Sequence, residues 1–247
     1  MSQYSQYVED FYINMTLYTE MELPTDRQSL LHFFDRVSKK YPSMGNFYNR
    51  ERNEYVLEEE KDGTGYRWCS TEAKRVNSGA VNPESVDEAI AQHRFVLDQV
   101  PYALSVSHLD CESLSLMYGF DFNYRGNHND LLSEVLGLIP VFDRLAQRPD
   151  VRLTSYEPSL QLALDADCRT QCRLSFEPRT TSRSIKTGEF QEELLSVYFT
   201  VRRFGSLSSE AAFGDTLAEL DTVSRDLVDG YLVENVLAPL HQAIVIN

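Results

Sequence analysis

Two segments in which apolar and polar residues alternate strictly restrict the fold of this chain more than any other feature. In the first segment, four apolar residues share one face: Phe11, Ile13, Met15 and Leu17. In the second, six large residues share one face, with polar residues such as Ser115 and Asp121 between them. The six are Leu114, Leu116, Tyr118, Phe120, Phe122 and Tyr124. Strict alternation is the pattern of a strand that is buried on one side only. Such strands are typical of antiparallel sheets that have one covered face and one free face.

Each of these strands begins a half of the chain, and the predicted elements follow in nearly the same order in both halves. In the first half, the strand leads into a helix that Thr25 or Asp26 can cap. Two β-rich stretches, 47–60 and 66–80, follow with an Asp-Gly turn at 62–63, and a helix begins at Asn82-Pro83. In the second half, a helix kinked at Pro140 precedes strands at 156–165, 168–180 and 195–204, and a closing helix follows with Tyr231 among its inward residues.

This order predicts an α+β protein whose antiparallel sheet, or pair of sheets, carries about four helices on one face. The two halves read β-α-β-β-α and β-α-β-β-β-α, and the first helix of each contains Phe-Asp-Arg, at 34–36 and at 142–144. We therefore expect a pseudo-repeat with a first half at 1–108 and a second half at 109–247. The two halves are expected to pack as one compact body.

Composition excludes several functional classes. The chain has 38 acidic and 23 basic residues, a formal net charge of −15, so its long-range field repels nucleic acid and anionic membranes. No apolar run approaches the roughly 18 residues of a membrane span, and the amino terminus does not read as a signal peptide. Four scattered cysteines favour free thiols. We expect a cytoplasmic protein with no nucleic-acid partner and no membrane partner.

Metal-binding residue types occur together at one point before the second alternating strand. His108, Asp110 and Cys111 carry side chains suited to zinc or a transition metal, and His128 follows that strand. The strand between the two groups spans roughly 40 Å, so they are expected at opposite ends of it. The sequence therefore predicts no metal site and no cofactor, and His108, Asp110 and Cys111 are kept as the candidates if there is one.

Two further groups of residues are candidates for binding. Arg169, Arg173 and Arg202 are expected on the outward face of the sheet, where an anion or an acidic partner could bind. The alternative is that they pair with acids on neighbouring strands, such as Glu177. The aromatic face formed by Tyr118, Phe120, Phe122 and Tyr124 lies opposite the predicted closing helix and could line a pocket.

These observations favour a non-enzymatic cytosolic binding or adaptor protein over an enzyme. We expect it to use sheet surfaces or paired edge strands to hold a protein partner or a second copy of itself. In charge and mixture of elements the chain is similar to the small acidic chaperones of bacterial secretion, although no residue motif supports that assignment. Two alternatives stay open: a binder of a lipid or aromatic metabolite between sheet and closing helix, and a metal-dependent hydrolase.

Overall fold

A computed structural model describes residues 3–51, 53–61, 63, 65–209 and 212–246 of the chain. Nine strands form one antiparallel sheet in the order β2-β3-β4-β5-β1-β6-β9-β8-β7. The strands are β1 (Asp10–Thr19), β2 (Asn46–Glu51), β3 (Glu54–Glu58), β4 (Tyr66–Glu72), β5 (Arg75–Val81), β6 (Cys111–Tyr124), β7 (Ser159–Ala163), β8 (Thr170–Glu177) and β9 (Glu193–Phe204). The predicted α+β class is confirmed, and the antiparallel strands belong to one sheet.

The helices occupy the connections between these strands. They are α1 (Arg27–Lys40), α2 (Val86–Ala103), α3 (His128–Leu136), α4 (Pro140–Ala146) and α5 (Ser182–Thr187). A closing helix follows in three consecutive parts: α6 (Ala212–Leu227), a π-helical segment (Val228–Leu237) and α7 (Ala238–Ile246). A short 3-10 turn at His108–Asp110 precedes β6. No helix among the described residues is long and apolar enough to cross a membrane.

The two alternating segments of the sequence form the two central strands. β1 and β6 pair along almost their whole length, with Ile13 opposite Tyr118 and Met15 opposite Leu116. From each central strand the chain passes through helix to an outer strand, β2 or β7, and then returns strand by strand to the centre. Each return ends beside the central strand at which that part of the chain began, β5 beside β1 and β9 beside β6.

One face of the sheet is the core face, and helices cover it. Phe11, Ile13, Met15 and Leu17 are fully or almost fully buried there, as the alternation predicts. α2 contacts this face through Gln92 and His93, and α6 contacts it at Tyr118, whose hydroxyl donates to Asp221. α1 packs beside α2, whereas α4 and α5 bury no side chain. The placement of about four helices on one face is therefore not confirmed.

Several local predictions were wrong. The stretches 47–60 and 66–80 each contain two strands, because the chain turns at Asn53, which has a positive φ of 64°, and again between Glu72 and Arg75. Asp62 of the predicted Asp-Gly turn and Thr64 beside it lie outside the described residues. Pro140 begins a separate helix instead of kinking one, since α3 has already ended before Gly137.

The closing helix also differs from its prediction. Tyr231, expected to point inward, is 57% exposed. A π-helical turn holds more residues than an α-helical turn, so the segment Val228–Leu237 shifts the buried stripe along the sequence. Val228, Leu232 and Val236 are buried instead. A regular 3.6-residue period cannot predict that shift.

Candidate functional site

The face of the sheet that points away from the helices is the open face. Aromatic rings lie flat on its centre because two glycines leave room for them. A Cβ atom on Gly119 would overlap the ring of Tyr12, and one on Gly79 would overlap the ring of Trp68. These glycines stand opposite Tyr12 and Trp68 in the strand pairing, so each ring fills the space beside its cross-strand neighbour.

A groove of about 410 Å³ crosses the open face over β7, β8 and β9. We call it the arginine groove, and its polar lining comes mainly from alternate residues of these strands: Gln161, Gln171, Arg173, Ser175, Glu177, Tyr198, Thr200 and Arg202. Strand alternation brings these residues to one surface, because residues two apart in a strand point to the same side. The groove therefore contains two of the three arginines that the sequence predicts for this face.

Arg202 is held against aromatic rings at one end of the groove. Its guanidinium carbon lies 5.1 Å from the ring centre of Tyr18 and 5.6 Å from that of Phe204. The Nε atom is buried and has no hydrogen-bond partner among the described residues. Arg202 forms no ion pair with any acid in the described part of the chain. Its charge is therefore oriented by the rings, and no described carboxylate neutralises it.

Arg173 lies diagonally across from Arg202. Arg173 pairs with Thr200, two residues before Arg202, and diagonal neighbours of this kind have Cα atoms about 7–8 Å apart. The Nε atom of Arg173 donates to the hydroxyl of Ser159 on β7 at 3.1 Å. Within the described ranges, Arg173 also lacks an ion pair. Two arginines without carboxylate partners thus line one groove, with the guanidinium of Arg202 held toward β1 and that of Arg173 held toward β7.

Acidic residues occur at the other end of the groove and beside it, each already engaged. Tyr198 donates to Glu177 at 2.7 Å, and an oxygen of Glu177 lies 4.0 Å from the Arg179 guanidinium. Tyr12 donates to Asp121 at 3.4 Å, and burial raises the pKa of that carboxyl above its ordinary value. The alternative interpretation, in which Glu177 neutralises the arginines of the groove, is therefore not what the geometry shows.

Arg169 was predicted at the same site, but the structure places it elsewhere. Its guanidinium donates to the main-chain oxygens of Phe204 and Ser206, at 3.1 and 2.9 Å. These bonds fasten the start of β8 to the end of β9. Arg169 has a structural position beside the groove and does not line it.

The aromatic residues predicted to line a pocket under the closing helix are part of the hydrophobic core. Tyr118 and Phe120 are fully buried, and Phe122 is 2% exposed. Phe120 packs against Phe11 and Tyr4, with ring centres 5.4 and 5.6 Å away. Tyr124 is half-buried beside His128. None of Tyr118, Phe120 and Phe122 lines the arginine groove.

The metal candidates do not form a ligand set in the structure. Asp110 accepts from the main-chain N–H of Met21 at 2.8 Å. Cys111 is buried, and that burial raises the pKa of its thiol to about 12. His128 lies beyond the far end of β6, where its Nδ1 accepts from the N–H of Arg179. Among the described residues, no three His, Cys, Asp or Glu side chains are arranged to hold a metal ion.

A second, larger cavity of about 920 Å³ lies beyond the end of β8 and contains three arginines, Arg125, Arg179 and Arg183. Two of them already bond within the protein: Arg125 to the main-chain oxygen of Phe190, and Arg179 to Ser196. Glu189 and Glu193 line the same cavity and offset part of its positive charge. The arginine groove is the stronger candidate for a binding site because two aromatic rings orient Arg202 in it and its one acidic lining residue in the described ranges, Glu177, is engaged by Tyr198.

The sequence analysis identified the two arginines but missed the residues that make their surroundings. Tyr18 and Phe204 orient Arg202, and Ser159 orients Arg173. Tyr198, Thr200 and Arg202 alternate along one strand, so this part of the lining was detectable from the sequence. The contribution of β1 and β7 depends on strand order and was not. No protein-family model matches the chain, and no curated protein matches it either.

Proposed function

We propose that this protein is a non-enzymatic binding protein that holds an acidic segment of a protein partner in the arginine groove. One observation carries this proposal: Arg173 and Arg202 share an open groove and no described carboxylate pairs with either, although acids exceed bases by 15 in the chain. Other described arginines, such as Arg36 and Arg94, also lack an ion pair. Arg173 and Arg202 differ because they line one groove and two rings orient Arg202, so one acidic ligand can supply negative charge to both.

The chemistry of the groove favours carboxylates. A guanidinium group has a planar set of donors that matches a carboxylate with two parallel hydrogen bonds. Arg202 lies against two rings, so its charge is less hydrated than that of an exposed arginine and pairs more strongly. Hydroxyl and amide groups of Thr200, Gln161 and Gln171 can bond the main chain of a bound segment.

The groove is also partly open to solvent, and it crosses three strands. An extended stretch of polypeptide can lie across these strands and reach polar groups on each of them. No comparable observation favours a lipid binder, since Tyr118, Phe120 and Phe122 are packed in the core. None favours a metal-dependent hydrolase either, since within the described ranges no three His, Cys, Asp or Glu side chains are placed to hold a metal ion. The adaptor or chaperone-like interpretation is therefore the one that we develop.

Binding of a fluorescein-labelled hexaglutamate peptide tests this proposal. At near-physiological salt, we expect saturable binding, and we expect the double substitution R173Q/R202Q to weaken it about tenfold or more. Tenfold corresponds to about 1.4 kcal/mol, within the range for two charge-assisted hydrogen-bonded contacts. Fluorescence anisotropy measures both dissociation constants.

The controls separate the groove from general electrostatics. Arg36→Gln removes one positive charge from an exposed position on α1 and should leave the affinity unchanged. A hexaglutamine peptide should not bind. Equal weakening by R36Q and by the single substitution R202Q, or no binding of hexaglutamate to the wild-type protein, would contradict the proposal.

We also propose that residues 1–108 and 109–247 are two related halves. Support comes from the path of the chain: each half starts at a central strand, reaches the edge through helix, and returns inward to pair with its first strand. Each return is followed by a helix that packs on the core face, α2 in the first half and α6 in the second.

We further propose that the two halves pack as one body, and expression of the halves as two separate chains in one cell tests this packing. We expect residues 1–108 and 109–247 to co-purify, because β1 and β6 bury Ile13, Leu116 and Tyr118 at their junction. Analytical gel filtration with mass detection measures the composition of the complex. Recovery of both halves as well-folded, non-associating proteins would show that they are independent domains.

A further inference from the structure

The outer strand β7 lacks the features that usually prevent a free sheet edge from pairing with another strand. All five of its residues are exposed, and none is charged or a proline. Two leucines, Leu160 and Leu162, lie on the core-face side and are 57% and 50% exposed. Proteins usually protect a free edge with charges, proline, bulges or a covering element.

The opposite edge strand, β2, is protected in this way. β2 carries Arg50 and Glu51, and its pairing with β3 is interrupted by a register shift between Asn49 and Glu51. On the core side of β2, the ring of Phe47 packs against Phe34 of α1 at 5.0 Å. The unprotected state of β7 is thus not a general property of the sheet edges.

The main-chain groups of β7 that point outward can be identified from its bonds to β8. Leu164 donates to Thr170 at one end, and Phe176 donates to Pro158 at the other. Main-chain bonding alternates along an antiparallel strand, so the even-numbered residues between these points also face β8. The N–H and C=O groups of Ser159, Gln161 and Ala163 therefore point away from the sheet.

We propose that a second copy of this chain pairs with this edge, β7 against β7, about a twofold axis at Gln161. The sequence Ser-Leu-Gln-Leu-Ala has a symmetric apolar pattern, and antiparallel pairing about its centre places Leu160 opposite Leu162 of the other copy. All three outward-facing residues then meet outward-facing residues of the second copy. This self-complementarity is what a twofold interface requires.

The absence of charged residues from β7 favours a second copy of the chain over a charged partner at this edge. β7 is neutral, so two copies can approach along it although each carries a net charge of −15. Screening of that repulsion by salt should strengthen the pairing, and apolar contacts between leucines do not weaken in salt. Binding through ion pairs would respond to salt in the opposite direction.

This pairing has a consequence for the arginine groove, and that consequence alone depends on the proposed function. Gln161 lines the groove and would lie at the twofold axis, so the grooves of two copies become continuous. Arg173 stands one strand away from Gln161. The two copies of Arg173 would then lie three strand spacings apart, about 14 Å, which suits a partner with two acidic clusters.

Sedimentation velocity on the full chain tests the pairing. We expect a concentration-dependent dimer between about 1 and 100 µM, and more dimer at high salt than at low salt. Gln161→Pro should give a monomer, because it removes an outward N–H and no bond to β8. Gln161→Ala keeps that N–H and should remain dimeric.

A second variant keeps the test decisive if the proline disturbs the strand. L160K/L162K places like charges at exposed positions and should also give a monomer with an unchanged circular dichroism spectrum. A wild-type monomer at every concentration, or a dimer that persists in the folded L160K/L162K variant, would overturn the proposal. R173Q/R202Q should remain dimeric, so loss of peptide binding and loss of pairing are distinguishable.

Discussion

Phe120→Ala should lower the free energy of unfolding by about 3–5 kcal/mol. Phe120 is fully buried at the centre of the sheet, between Phe11 and Tyr4. Truncation removes the transfer free energy of the ring and leaves a cavity that the neighbouring strands can fill only in part, because β6 is paired on both sides. Urea denaturation followed by tryptophan fluorescence or circular dichroism measures the loss.

Phe120→Leu is the matched control, since it keeps most of the apolar volume and should cost only about 1 kcal/mol. This comparison also distinguishes the core from the alternative in which Tyr118, Phe120 and Phe122 line a ligand pocket. Side chains that line an empty pocket contribute little to stability. A loss below about 1 kcal/mol for Phe120→Ala would therefore contradict the packed core and revive that alternative.

Acidification should destabilise the protein through His93. His93 is fully buried in α2, with Nδ1 2.9 Å from the hydroxyl of Ser78, and burial lowers its pKa to about 3. In the unfolded chain the pKa of histidine is about 6.5. Below pH 6.5 the unfolded state therefore binds a proton that the folded state does not bind, and stability falls as the pH drops from 6.5 toward 3. At pH 4 this difference amounts to about 3 kcal/mol.

His93→Gln isolates this contribution. Glutamine keeps a polar contact to Ser78 but does not titrate, so its free energy of unfolding should fall about 3 kcal/mol less than that of the wild-type protein between pH 7 and pH 4. The comparison cancels the acidic residues, which titrate in both proteins. Denaturation curves at several pH values measure the two slopes, and parallel slopes would show that His93 takes up a proton in the folded state.

The central part of the fold was predictable from the sequence because burial and strand period agree there. Phe11 to Leu17 and Leu114 to Tyr124 place their large core residues at every second position, although Met117 lies on the other face, and they form the two central strands. The predictions failed where local signals are weak. The turn at Asn53 contains neither glycine nor proline, and the π-helical segment changes the helical period at Val228–Leu237.

The candidate site was only partly predictable, for a topological reason. The alternation of β8 and β9 places Arg173 and Arg202 on one face, and this the sequence indicates. Phe204 lies two residues after Arg202 on the same face of β9, so alternation predicts that contact too. The ring of Tyr18 reaches Arg202 from β1 across β6, and local periodicity does not reveal strand order. Arg169 is predicted on the outward face because the sequence suggests a strand that begins at Cys168, whereas β8 begins at Thr170 and Arg169 bonds to the main chain of Phe204 and Ser206.

An NMR titration of the arginine side chains tests the proposed function most directly. In protein labelled with ¹⁵N-arginine, the Nε–H signals of Arg173 and Arg202 can be assigned from their absence in R173Q and R202Q. On addition of hexaglutamate, we expect both signals to shift along saturable curves with one dissociation constant, while the signal of Arg36 stays in place. Shifts of equal size at Arg36, or unmoved signals of Arg173 and Arg202, would contradict the arginine groove as a binding site.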